Sequence, residues 1–124
     1  MSSQDESTKY TVATHLSKTQ KGGVVIASIG ACHCLADDGS QMLRTAVVGD
    51  TVEYPDGSVA QITSGAGFVF MDNNHPVAIV GSHVSGGDRI ISSPVTYGEL
   101  LITPSDTAKG FLVEGWMPES KAHA

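Results

Sequence analysis

The sequence predicts an all-β domain, a compact body with pseudo-threefold character built from short repeated strands and turns. Three observations carry that reading. Glycine is abundant, 14 residues in 124, and aromatic side chains make up only 6%, a mixture that disfavours long helices and suits turn-rich β structure. Short runs of β-branched and apolar residues alternate with turn signals. A sequence unit recurs along the chain, and no stretch carries the 3.6-residue apolar period of a helix.

Taken in order, residues 1–12 are expected to form a polar, loose tail, since Met1 to Lys9 hold acids and no apolar core. The same lack of an apolar core argues against a signal peptide. Strands are expected at Val24–Ser28, Ala31–Leu35, Thr45–Val48, Val59–Thr63, Gly67–Met71, Val77–Val80, Arg89–Ser92, Leu100–Thr103 and Phe111–Glu114. Turns separate them at Gly22-Gly23, Asp37-Asp38-Gly39, Pro55-Asp56-Gly57, Asn73-Asn74 and Gly86-Gly87. The main domain is expected over residues 13–93, with 94–116 a β extension packed on it and 117–124 a second loose tail.

The repeat is the most informative feature. Ala46-Val47-Val48-Gly49-Asp50-Thr51-Val52 returns as Ala78-Ile79-Val80-Gly81-Ser82-His83-Val84, each followed by a Gly-containing turn and an apolar strand. A degraded earlier copy reads Leu16-Ser17-Lys18-Thr19, then Gly22-Gly23, then Val24-Val25-Ile26. A unit this short buries no core alone, so the copies must pack around a common axis.

Composition excludes several function classes. At 12.9 kDa the chain has room for one domain. Lys+Arg 7 against Asp+Glu 13 gives a net charge of −6, which leaves little to neutralise nucleic-acid phosphates or an anionic membrane. No apolar run reaches the ~18 residues of a membrane span. Cys32 and Cys34 stand too close on a strand to pair, so no oxidising compartment is implied.

From about Ala13 to Ser93 the chain resembles the PAAR-repeat (Pro-Ala-Ala-Arg) spike-tip family. The resemblance rests on the Gly22–Ile26 strand and on Arg44-Thr45-Ala46-Val47 and Pro76-Val77-Ala78-Ile79. These run into Val48-Gly49-Asp50 and Val80-Gly81-Ser82, and the pattern closes at Ile90-Ile91-Ser92-Ser93. Gly22, Gly23, Gly49, Asp50, Pro76, Ala78 and Gly81 are its motif positions. The resemblance implies a conical β body with one copy capping a trimeric β-helical spike, the valine-glycine-repeat protein of type VI secretion or its phage-tail counterpart. It implies help in membrane piercing, an effector or adaptor as a further partner, and no enzymatic role. Such a protein waits in the cytoplasm and leaves with the spike.

The resemblance also implies a metal near the tip, held by His and Cys of the turn loops. Here Tyr54 stands before Pro55 where the family has Cys, and Gly86 replaces the late Cys. His83 and His15 remain, with Asp56. They suit a weakly held zinc or other divalent ion rather than a four-ligand structural zinc.

Other candidates have plain readings. The spacing of Cys32-His33-Cys34 argues against zinc. On a strand the two thiols share a face. Phe68 and Phe70 stand as their counterparts in the next copy, so both cysteines are expected to act as small buried hydrophobes. Asp37, Asp38, Asp50, Glu53, Asp56, Asp72 and Asp88 are expected in turns, where acids bond their own backbone. No nucleophile-elbow sequence is present. The chief alternative is a biotinyl- or lipoyl-carrier-like sandwich, suggested by Val48-Gly49-Asp50-Thr51-Val52. It lacks a lysine on either expected hairpin tip, Asp37-Asp38-Gly39 or Asp72-Asn73-Asn74.

Overall fold

The computed structural model describes residues 8–103 and 110–118. The chain is all-β, with strands β1 (Thr8–Thr11), β2 (Lys18–Thr19), β3 (Val24–Ile26), β4 (His33–Leu35), β5 (Met42–Arg44), β6 (Thr51–Glu53), β7 (Val59–Gln61), β8 (Met71–Asp72), β9 (His75–Pro76), β10 (His83–Val84), β11 (Asp88–Ser92) and β12 (Glu99–Ile102). Among the described residues the helical element is a 3-10 turn at Gly67–Val69, and no helix is long and apolar enough to cross a membrane.

Three hairpins, β2–β3, β6–β7 and β10–β11, form one six-stranded antiparallel sheet in the order β10-β11-β2-β3-β6-β7. Its ends meet. Ile62 bridges Val84, Thr63 N–H donates to the His83 carbonyl at 2.9 Å, and Ser85 N–H to that of Gln61 at 2.8 Å. The sheet is thus a small, nearly closed barrel, which leaves few open edges.

The pseudo-threefold relation is present in the backbone itself. Ala13 N–H donates to the Ala78 carbonyl (2.9 Å), Ala78 to Ala46 (2.8 Å), and Ala46 to Ala13 (3.0 Å), a closed ring of three. Each alanine leads into a turn closed by a side-chain oxygen that accepts a buried N–H. Ser17 Oγ accepts from Thr14 at 3.0 Å, Asp50 Oδ2 from Val47 at 2.9 Å, and Ser82 Oγ from Ile79 at 3.0 Å. The third residue of each turn is left-handed: Leu16 at φ 75°, Gly49 at 101° and Gly81 at 110°. Two copies meet that demand with glycine, which has no Cβ to strain, and the first does not. The core above the alanines comprises Val25, Ile62 and Ile90, one from each hairpin, with Val52 and Val84. Thr19 takes the place that Val52 and Val84 hold in the other copies, 3% exposed.

Before each alanine runs a two-stranded ribbon: β1 with β12, β5 with β4, and β9 with β8. The pairings are equivalent, since Thr11 faces Glu99, Arg44 faces His33 and Pro76 faces Met71. The strand missing from the first copy is supplied by the segment after the last. Residues 94–103 therefore complete the threefold body.

Several expected elements differ. Thr8–Thr11, expected within the loose tail, pairs with β12 and sets Tyr10 edge-on to Phe111 with centroids 4.9 Å apart; residues 1–7 lie outside the described residues, as do 119–124 of the second tail. Thr45–Val48 and Val77–Val80 are crossing segments that make single bridges, Thr45 with Thr14 and Val47 with Val77, because each turns from ribbon to alanine ring within a few residues. Gly67–Met71 coils as the 3-10 turn and only then extends, and Phe111–Glu114 is a turn with Leu112 at φ 56°.

Candidate functional site

At the hairpin end the three turns converge. Lys21 of the first, Tyr54, Pro55 and Asp56 of the second, and Ser85 and Gly86 of the third line an open hollow of about 470 Å³. Tyr54 joins this lining to a buried cluster with one residue from each hairpin, its other members being Thr19 and Asp88. The Asp88 carboxylate, 2% exposed, accepts from the Tyr54 hydroxyl at 2.6 Å, from Lys21 N–H at 2.9 Å and from Arg89 N–H at 2.8 Å. Burial pushes its pKa up. Hydrogen bonds from Thr19, Tyr54 and the two amides outweigh that, and the carboxyl titrates below its ordinary value. Tyr54 is the counterpart: burial and the adjacent Asp88 carboxylate push its hydroxyl up to about 12. Thr19 Oγ1 also accepts from Gly23 N–H at 2.8 Å. A Cβ at Gly23 would sit 2.5 Å from Val52 and 2.8 Å from Tyr54, so this motif glycine is required by packing.

Sequence reasoning missed this cluster because an acid directly after Gly86-Gly87 reads as a turn residue. Asp50, Asp72 and Asp88 are all buried, and each binds amides far away in sequence. Asp50 Oδ1 holds Ser28 N–H at 2.9 Å, and Asp72 holds Ala31 and Cys32 N–H at 3.0 Å. Asp38 and Asp56 are the exposed turn acids expected, bonding Ser40 and Ser58. The available signal was a lone Tyr54 at the second hairpin turn, with an acid just beyond the third.

The two histidines are engaged separately. His15 Nδ1 accepts from Ala27 N–H at 3.1 Å. His83 Nδ1 contacts Ser64 Oγ at 2.7 Å, while its Nε2 faces Arg89 at 3.2 Å and Glu114 at 3.7 Å. Among the described residues no group of three or more His, Cys, Asp or Glu side chains converges as a ligand set. The Ser64–His83–Glu114 sequence has the residue types of a hydrolytic triad, but Ser64 is fully buried and its Oγ also accepts from His83 N–H at 2.8 Å. That hydroxyl is a structural link between hairpins.

At the ribbon end, Pro76 is buried in the third ribbon and Ala78 in the alanine ring. Cys32 is exposed and Cys34 half-buried, rather than both in the core. The face taken as core is exposed in the other copy as well, and the register of the match also differs. Thr45 N–H bonds the Cys32 carbonyl as Val77 N–H bonds that of Phe70, so Cys32 corresponds to Phe70, two residues from the expected match. The Asp72 carboxylate beside Cys32 raises its thiol pKa. Phe68 and Phe70 are themselves exposed. Together Leu35 (44% exposed), Met42 (57%), Phe68 (62%) and Leu101 (55%) give the ribbon region an apolar surface, with Leu35 paired to Met42 on one ribbon and Leu101 on another.

Comparison with protein-family models, with curated proteins and with solved structures finds no match to this chain.

Proposed function

We propose that this chain is a structural tip protein. One copy caps the trimeric β-helical spike of a contractile injection machine, of bacterial secretion or phage-tail type, and aids membrane piercing. The observation that carries the reading is the Ala13–Ala46–Ala78 ring. A single chain with three equivalent ribbons can meet three equivalent strand ends at once, and a trimeric β-helix ends in three such edges, which are an aggregation liability unless covered. The apolar side chains of Leu35, Met42, Phe68 and Leu101 suit contact with a neutral, apolar end rather than charge recognition. Short, mutually bonded hairpins suit axial load, because little in them is free to move. The resemblance to PAAR-repeat proteins points the same way. On this reading the chain stays in the cytoplasm until assembly, leaves with the spike, and has an effector or adaptor as a further partner.

Co-expression with a trimeric β-helical spike protein, followed by native mass spectrometry, tests it. One copy per trimer is expected, with the isolated protein monomeric by light scattering. A stable homotrimer of this chain, or no association with any spike trimer, overturns the reading.

A further inference from the structure

The three ribbons are equivalent in register but not in connectivity. β4 and β5 are joined through the turn at residues 36–41, and β8 and β9 through Asn73 and Asn74. β1 and β12 come from opposite ends of the array, so Thr11 faces Glu99 with the whole repeat body between them in sequence. The threefold body is thus closed at one ribbon without a connecting turn.

The segment that closes it runs round all three copies. Val95 is fully buried against Ala36 and Leu43 of the second ribbon. Thr96 N–H and Oγ1 both donate to Asp37, at 2.9 and 2.6 Å. β12 then lies along β1, and the Gly98 carbonyl accepts from Val12 N–H at 2.8 Å. Ile102 and Phe111 pack with Ala66 and Ile79 of the third copy, where Leu112 N–H donates to the Gly65 carbonyl at 2.7 Å. No residue of β1, β12 or this closing segment belongs to the central cluster around Val25, Val52 and Ile90.

We propose that residues 94–103 and 110–115 act as a detachable strap, which opens at the β1–β12 ribbon as a unit while the hairpin barrel stays folded. Opening frees the edge of β1 and uncovers Ala66 and Ile79. It breaks one ribbon, the Thr96–Asp37, Leu112–Gly65 and Gly115–Thr63 bonds, the packing of Val95, Ile102 and Phe111, and an exposed Lys9–Glu99 pair at 3.8 Å, the last of which contributes little. The alanine ring and the barrel bonds are left in place. The inference does not depend on the spike reading.

Native-state hydrogen exchange of the full chain tests it. Amides of β1 and β12 should exchange ~100-fold or more faster than those of Val25 and Ala46, with a shallower denaturant dependence, as expected of a sub-global opening. In a Cys32→Ser, Cys34→Ser background, Thr11→Cys with Glu99→Cys places a disulfide across directly opposed residues. Oxidation should slow ribbon exchange to the rate of the barrel, and reduction should restore it. Ribbon amides that exchange at barrel rates with the barrel's denaturant slope overturn the proposal, as does a disulfide that leaves ribbon exchange unchanged.

Discussion

The Tyr54 hydroxyl donates a 2.6 Å hydrogen bond to the Asp88 carboxylate and so ties the second hairpin to the third. Thr19 of the first hairpin joins the same cluster through its side-chain bond to Asp88. A charge-assisted bond to a buried acceptor is among the stronger polar contacts in a protein. Tyr54→Phe is expected to cost about 1–3 kcal/mol. Urea unfolding measures it, and an unchanged midpoint contradicts the role assigned to the cluster.

The same pair predicts a two-sided pH dependence. The Asp88 pKa lies below its unfolded value of 3.8. Its contribution is therefore complete above that value and is lost as pH falls through the lower, folded one. Tyr54 is raised from 10.0 to about 12. It favours the folded state below 10.0, and that contribution disappears as pH rises from there through about 12. Unfolding midpoints across pH should decline at both ends. Tyr54→Phe should flatten the alkaline limb while keeping most of the acid one.

Gly81 sits at φ 110°, and a Cβ added there would have nothing within 4 Å. Gly81→Ala therefore adds backbone strain without a clash, and should lower stability by about 1–2 kcal/mol. Thermal melting reads this directly, and a neutral result shows that the turn relaxes more freely than its side-chain cap implies.

Ala13, Ala46 and Ala78 are each fully buried. Replacing any one by Val forces two extra methyl groups against the ring, at a cost of about 1–3 kcal/mol. The three variants should lose similar amounts. A single sensitive position with two tolerant ones would show that the backbone symmetry is not matched by symmetric packing.

Metal removal supplies a further check. The hairpins are braced by Thr19, Tyr54 and Asp88, so a strong chelator should leave the melting temperature unchanged and elemental analysis should find little zinc. Stoichiometric zinc with a melt that collapses on chelation reverses that assignment.

The all-β class, the repeat and the Gly49 and Gly81 turns were legible in the sequence because each depends on local chemistry. Lys18–Thr19, Thr51–Glu53 and His83–Val84, half of the strands of the six-stranded sheet, were not expected as strands because runs this short carry no period of their own. Nor was the closing ribbon legible. Thr8–Thr11 has a polar composition, and what makes it a strand is a partner far away in sequence. The counterparts of Cys32 and Cys34 were misplaced by two residues, because the 3-10 turn at Gly67–Val69 takes up chain that the first copy uses differently. Buried acids looked like turn acids, since sequence shows the carboxylate but not the distant amides that Asp50, Asp72 and Asp88 bind.

The alanine ring has an electrostatic consequence. Its three N–H to carbonyl bonds run head to tail in one sense, each residue donating to one neighbour and accepting from the other. Bond dipoles circulating about a pseudo-threefold axis cancel across it, while each bond polarises the next. The ring itself therefore adds no net dipole in its own plane to the core, and no member of the loop can be lost without weakening the other two.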